Sequence, residues 1–130
     1  MPHAGYPYSG NAAAAAYARL KPYRSKIHRV ILLGPVHRVP VRGLALPGVD
    51  AFSTPLGQIN LDLDAIALIK NMPQVVTLAA AHAAEHSLEV QLPFLQTVLD
   101  DFTLVPLAVG VALIFLIFVG WFYMMNQQQA

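Results

Sequence analysis

Apolar and polar positions follow three different rhythms along the chain. Ala12 to Leu20 is alanine-rich, a composition with high helix propensity. Ser9 or Asn11 can cap that helix by accepting from its free first-turn amides, and Lys21-Pro22 ends it. A strand is expected over Ile27–Leu33. At its centre, Val30-Ile31-Leu32-Leu33 runs without a polar residue and stops at Gly34-Pro35. A short apolar run cut off in this way predicts a strand buried on both faces, as in a parallel sheet. Between Val39 and Leu61, short apolar pieces alternate with Pro and Gly. They predict brief strands joined by turns, one of them at Thr54-Pro55-Leu56-Gly57. Asp62 or Asp64 caps a short helix reaching about Asn71, and Gln74–Leu78 is a brief strand. Ala79–His86 is expected to be a loop. Leu88, Leu92, Leu95 and Leu99 have helical spacing over Ser87–Leu99, with a kink at Pro93. Phe102–Val109 is again strand-like.

The third rhythm is at the end. Leu107 to Met125 is a run of 19 residues without a charge, close to the ~20 residues that cross a bilayer as a helix. Trp121-Phe122-Tyr123 lies where an interfacial aromatic belt would sit. The plainer alternative is a buried strand running into a core helix, with Pro106 and Gly110 marking the junction. Strands alternating with helices give an α/β fold: a partial, doubly wound, mostly parallel sheet over residues 1–110, followed by a hydrophobic helical tail over 111–130. A membrane contact is expected through 107–125. The main domain is expected in the cytoplasm, since no basic segment followed by an apolar core opens the chain as a signal peptide would.

Composition adds less. The chain has 130 residues, with 56% hydrophobic and 12% charged, and the apolar excess is concentrated in the tail. It has no cysteine, which excludes disulfides and thiolate metal sites within it. The net charge of +1 hides a segregation of sign: seven of the eight Lys and Arg residues precede Asp50, the first acid. Only one aromatic residue, Tyr23, falls within that basic block, not the series of stacking rings that single-strand binding would need. It is read as solvated helix ends and loops, and no nucleic-acid partner is expected.

Chemistry is expected where strands end, because open α/β sheets bind ligands at the carboxyl ends of their strands. His37 lies just past the Gly34-Pro35 break, and His3 lies just before the first helix. With a strand ahead of His3, the unit would be a right-handed βαβ crossover. Both histidines would then sit on neighbouring strand ends about 4.8 Å apart, within reach of one metal ion. No residues ahead of His3 are available for that strand. As isolated features, both could equally be ordinary loop histidines.

Five stretches carry a resemblance. They are Pro2-His3-Ala4-Gly5-Tyr6, Leu33-Gly34-Pro35-Val36-His37, Ser53-Thr54-Pro55-Leu56-Gly57, Glu85-His86-Ser87-Leu88-Glu89-Val90-Gln91-Leu92-Pro93 and Phe102-Thr103-Leu104-Val105-Pro106. In their order and spacing over residues 1–110 they resemble the Memo family, also called AmmeMemoRadiSam system protein B. The resemblance implies a fold like that of the class III extradiol dioxygenases, with a non-haem-iron type of pocket. It implies His3 and His37 as ligands to Fe(II) or copper, both of which accept imidazole. His86 and Glu85 are then the catalytic or pocket groups, with Tyr6, Arg38 and Glu89 lining the site. It also implies a radical-SAM enzyme and an AMMECR1-like protein as partners.

The sequence departs from the family pattern in three places. The first strand is missing, Arg38 replaces a second histidine, and similarity stops near Gly110, before the part that supplies a third ligand. A truncated metal site with impaired, dioxygenase-like activity is therefore expected. The alternative is a non-catalytic module that binds a peptide or protein partner.

Overall fold

The computed structural model describes residues 6–83 and 87–128. Its elements begin with a helix, α1 (Tyr6–Ala18), and a 3-10 turn at Lys21–Tyr23. Strands β1 (Arg29–Pro35) and β2 (Leu44–Leu46) follow, then a hairpin of β3 (Ala51–Thr54) and β4 (Gly57–Asn60). Next come α2 (Leu63–Ile69), β5 (Val75–Thr77) and α3 (Ala79–Ala83). A 3-10 turn at Glu89–Gln91 leads into α4 (Leu92–Val98), β6 (Thr103–Val109) and α5 (Val111–Gln127).

The main sheet has the order β1-β6-β2-β5, and the α/β class holds. The sheet is mixed, however: β1 and β6 are parallel, as are β2 and β5, while β2 runs antiparallel to β6. The reason is the length of the β1–β2 link. Residues 36–43 are too few for a parallel crossover, which takes about a dozen residues, so the chain turns back instead.

One face of the sheet packs against α1 and α4, with Leu32 and Leu104 meeting Ala13, Tyr17, Leu92 and Leu95 in a buried cluster. On the other face, Ile66 and Ile69 of α2 cover Leu46, Val75, Val105 and Leu107. That cover does not reach β1. Leu32 is buried, but Ile31 and Leu33 on the opposite side of the strand are 63% and 55% exposed. The expectation of a strand buried on both faces is thus half met, because β1 stands at the sheet edge beyond the reach of α2.

Several boundaries move for reasons visible in the packing. α1 starts by Tyr6, ahead of the alanine run, so Ser9 and Asn11 lie inside the helix and do not cap it. Tyr6 and Tyr17 both pack on Phe94, with ring centroids 5.8 and 5.7 Å away. That tertiary contact extends the helix. Part of the expected loop at 79–86 is helical, because Ala79–Ala83 is four alanines around His82. Pro93 does not kink a long helix. It sits in the first turn of α4, where a missing N–H leaves no bond unmade.

At the carboxyl end, Leu107, Ala108 and Val109 belong to β6, leaving 17 residues in α5. The expected span over 107–125 is therefore not formed. Among the described residues, no helix is long and apolar enough to cross a membrane. The join is close: a Cβ on Gly110 would lie 2.0 Å from the Val41 carbonyl oxygen, and Gly110 N–H donates to Gly43 O at 2.8 Å. Only glycine fits there. α5 itself has no buried residue.

Candidate functional site

Two of the described motif stretches, the end of β1 and the segment from Ser87, are brought together by a chain of hydrogen bonds. Ser87 Oγ donates to Pro35 O at the end of β1, at 2.9 Å. Gln91 Nε2 donates to Ser87 O at 2.7 Å, and Tyr17 Oη donates to Gln91 Oε1. Burial holds the Tyr17 phenol above its ordinary pKa, so it remains a donor. Gly34 lets this segment approach, since a Cβ there would lie 2.7 Å from both Ser87 Oγ and Leu88 Cδ2. A third stretch joins at the β3–β4 turn, where Thr54 Oγ1 bonds to Gln96 Oε1 of α4 and Gln96 Nε2 donates to Gly57 O at 3.2 Å. The fourth, at the start of β6, pairs with the amino part of β1 in the register Arg29↔Thr103 to Leu32↔Pro106.

His37 lies two residues past β1, and the ladder continues toward it through a bond from Val36 N–H to Val109 O at 3.0 Å. His37 and Arg38 are exposed. They line a cleft of about 550 Å³ together with Val39, Val41 and Val111.

A second cleft, of about 410 Å³, lies between β3, α3 and the segment from Ser87 to Leu92. Glu89 lines it, with Phe52, Leu88 and His82. The two clefts share no lining residue. The single pocket expected around His37, Arg38 and Glu89 is therefore divided. Glu89 is carried away by the 3-10 turn that starts with it. Tyr6 lines neither cleft and packs edge-on against Phe94. His3, Glu85 and His86 lie outside the described residues.

His82, which falls outside the five motif stretches, lines this second cleft. Its Nε2 bonds to Ala45 O at 2.7 Å. A carbonyl only accepts, so the proton is on Nε2. Burial lowers the pKa below that of a free histidine, and the Ala45 bond opposes this only in part. The ring is thus neutral near pH 7. The signal for it was a lone polar ring in an alanine helix.

The donors can be compared with what a metal needs. Among the described residues, no group of three or more His, Asp or Glu side chains converges as a metal-binding set. These residues contribute one imidazole, His37, to the expected ligand pair, and do not by themselves make a site for iron or copper.

The molecule is thus an α/β protein in which the Leu33–His37 stretch and the segment from Ser87 meet at the carboxyl end of β1. The family model described as "Memo-like protein" matches residues 1–113. A MEMO1 family protein of Archaeoglobus fulgidus is 39% identical over 84% of this chain, and one of Ignicoccus hospitalis is 40% identical over 85%. The human protein MEMO1 is 35% identical over 84%. The chain belongs to the Memo-like family. It spans about 40% of the length of these relatives.

Proposed function

We propose that this chain forms the histidine-bearing part of a Memo-type metal pocket, with His3 and His37 as ligands to Fe(II) or copper. The observation that carries this reading is the place of His37, just beyond the carboxyl end of a strand that family motifs brace from two sides. When bound, such a metal would supply the oxygen chemistry of the extradiol dioxygenases. His37 would hold it, and Arg38, in the same cleft, would attract an anionic group. Glu85 and His86 are the proton-handling candidates of this reading. The ligand set would need a third group besides these two histidines. A radical-SAM enzyme and an AMMECR1-like protein are the partners it would work beside.

The test is the iron and copper content of the purified chain beside His3→Ala and His37→Ala. About one metal per chain, lost in both variants, is the expected result. A folded chain without iron or copper in any version overturns the reading.

A second reading is a binding module without chemistry. It is favoured by the single imidazole that the described residues bring to the cleft. Under it, His37→Ala leaves partner binding unchanged, and metal removal has no effect.

A further inference from the structure

The cleft beside His82 has the features of a ligand site of its own. Its volume of about 410 Å³ falls in the usual range for small-molecule pockets, roughly 300–1,000 Å³. Most of its wall is apolar, from Pro47 and Phe52 to Leu88, Leu92 and Ala108. One polar group on the wall has a defined role. With Nε2–H committed to Ala45 O, the neutral His82 ring can only accept at Nδ1. Phe52 stands beside it, 6.2 Å between ring centroids and tilted by 43°, as one apolar wall.

Charge narrows the ligand class. Among the described residues, no Lys or Arg lines the cleft, and Glu89 does. An anion would lie beside a like charge, with no Lys or Arg among the described lining residues to draw it in. A cation would have to leave water for a mostly apolar wall, which is costly.

We propose that this cleft binds a small, uncharged, largely apolar molecule that donates one hydrogen bond to Nδ1 of His82. Among the described residues the site shares no lining side chain with the His37 cleft, so its occupancy does not depend on a metal at His37.

Three probes of one shape test it on the full chain: p-cresol, which carries a donor, toluene, which does not, and p-toluate, which is an anion. Nitrogen-detected spectra of the histidine rings and amide spectra follow each titration. The expected result is that p-cresol moves the His82 ring signal and the amides of Phe52 and Leu88. It should bind about five-fold tighter than toluene, the worth of about one net hydrogen bond, with p-toluate weakest. In His82→Phe that preference should fall to about one-fold. Ala83→Leu guards against a misfolded His82 variant, because Ala83 is exposed and lines the cleft. It should weaken p-cresol binding with the far-ultraviolet spectrum unchanged. Equal affinity for p-cresol and toluene, tightest binding of p-toluate, a preference that survives His82→Phe, or p-cresol affinity unaltered in folded Ala83→Leu each overturns the proposal.

Discussion

Arg29 and Asp62 meet at the amino end of the sheet, where the guanidinium Nε of β1 donates to the buried carboxylate that caps α2. The same carboxylate accepts from Ala65 N at 2.9 Å and from Thr103 Oγ1 at 3.0 Å. Asp62 N–H in turn donates to Leu104 O at 2.8 Å. One residue thus ties the first turn of α2 to the two parallel strands, at the end of β1 opposite the contact of Pro35 with Ser87. The Ala65 amide, then Arg29, holds the carboxyl below its ordinary pKa. A depressed acid stabilises above its unfolded pKa near 4 and loses that contribution as pH falls through the folded value. Asp62→Ala should lower the melting temperature by about 5 °C, as loss of a helix cap does, and should flatten the acid limb of a melting curve followed from pH 6 to pH 2. Arg29 is more than half exposed, so Arg29→Gln should cost much less. Equal losses from the two variants would mean that the ion pair, not the cap, holds the corner.

Gly34 decides whether the motif segment can sit against β1. Gly34→Ala places a methyl 2.7 Å from Leu88 Cδ2 and Ser87 Oγ, and should destabilise by about 1–3 kcal/mol, the usual cost of overpacking. Gly120, inside α5 with open space around its Cα, is the internal control. Gly120→Ala should be neutral or stabilising by up to about 1 kcal/mol, the helix gain of alanine over glycine. Urea denaturation of both variants checks the contrast, and similar midpoints would remove the packing argument for the Gly34-Pro35 stretch.

What the chain revealed in advance follows from which forces are local. The run of four apolar residues before Gly34-Pro35 located β1, and a cap at Asp62 or Asp64 needed only its own neighbours, with the fold settling on Asp62. The turn at residues 54–57 was also legible, since Gly57 adopts φ +127°, a region that favours glycine. The antiparallel place of β2 depended on the short link of residues 36–43, not on the hydrophobic pattern of the strand itself. The exposed side of β1 depended on how far α2 reaches, which no local pattern encodes. The motifs located the site region, yet they could not tell that Glu89 and His37 face different clefts. That division arises from the 3-10 turn and from Ser87 bonding to Pro35. His82 escaped because its role is defined by a carbonyl 37 residues away.

Tyr17→Phe removes the outer link of the buried chain that runs through Gln91 and Ser87 to Pro35. Gln91 Oε1 then loses its donor at a site only 1% exposed. The expected cost is about 1–3 kcal/mol, the penalty for a buried acceptor left unpaired. Burial raises the Tyr17 pKa, so the wild type should also lose stability as pH rises past 10, where the unfolded phenol ionises first. Tyr17→Phe should reduce that alkaline loss. Chemical denaturation at pH 7 and pH 10.5 measures both effects, and an alkaline limb unchanged in the variant would assign it to other groups.

His82 supplies the opposite limb of the same profile. Its folded pKa is depressed, chiefly by burial, so near pH 6 the unfolded chain takes up a proton that the folded chain refuses. Stability therefore rises with pH while that difference lasts. The native state keeps its full margin above the unfolded value of about 6.5 and loses it as pH falls below, until the folded ring protonates as well. Melting temperature should be level from pH 8 to pH 7 and should drop between pH 6.5 and pH 5. His82→Phe keeps a ring against Phe52 without the proton, so its drop in that interval should be smaller. If the two curves stay parallel through that interval, the imidazole is as easily protonated in the folded chain as in the unfolded one. The neutral acceptor that the His82 cleft relies on would then be lost.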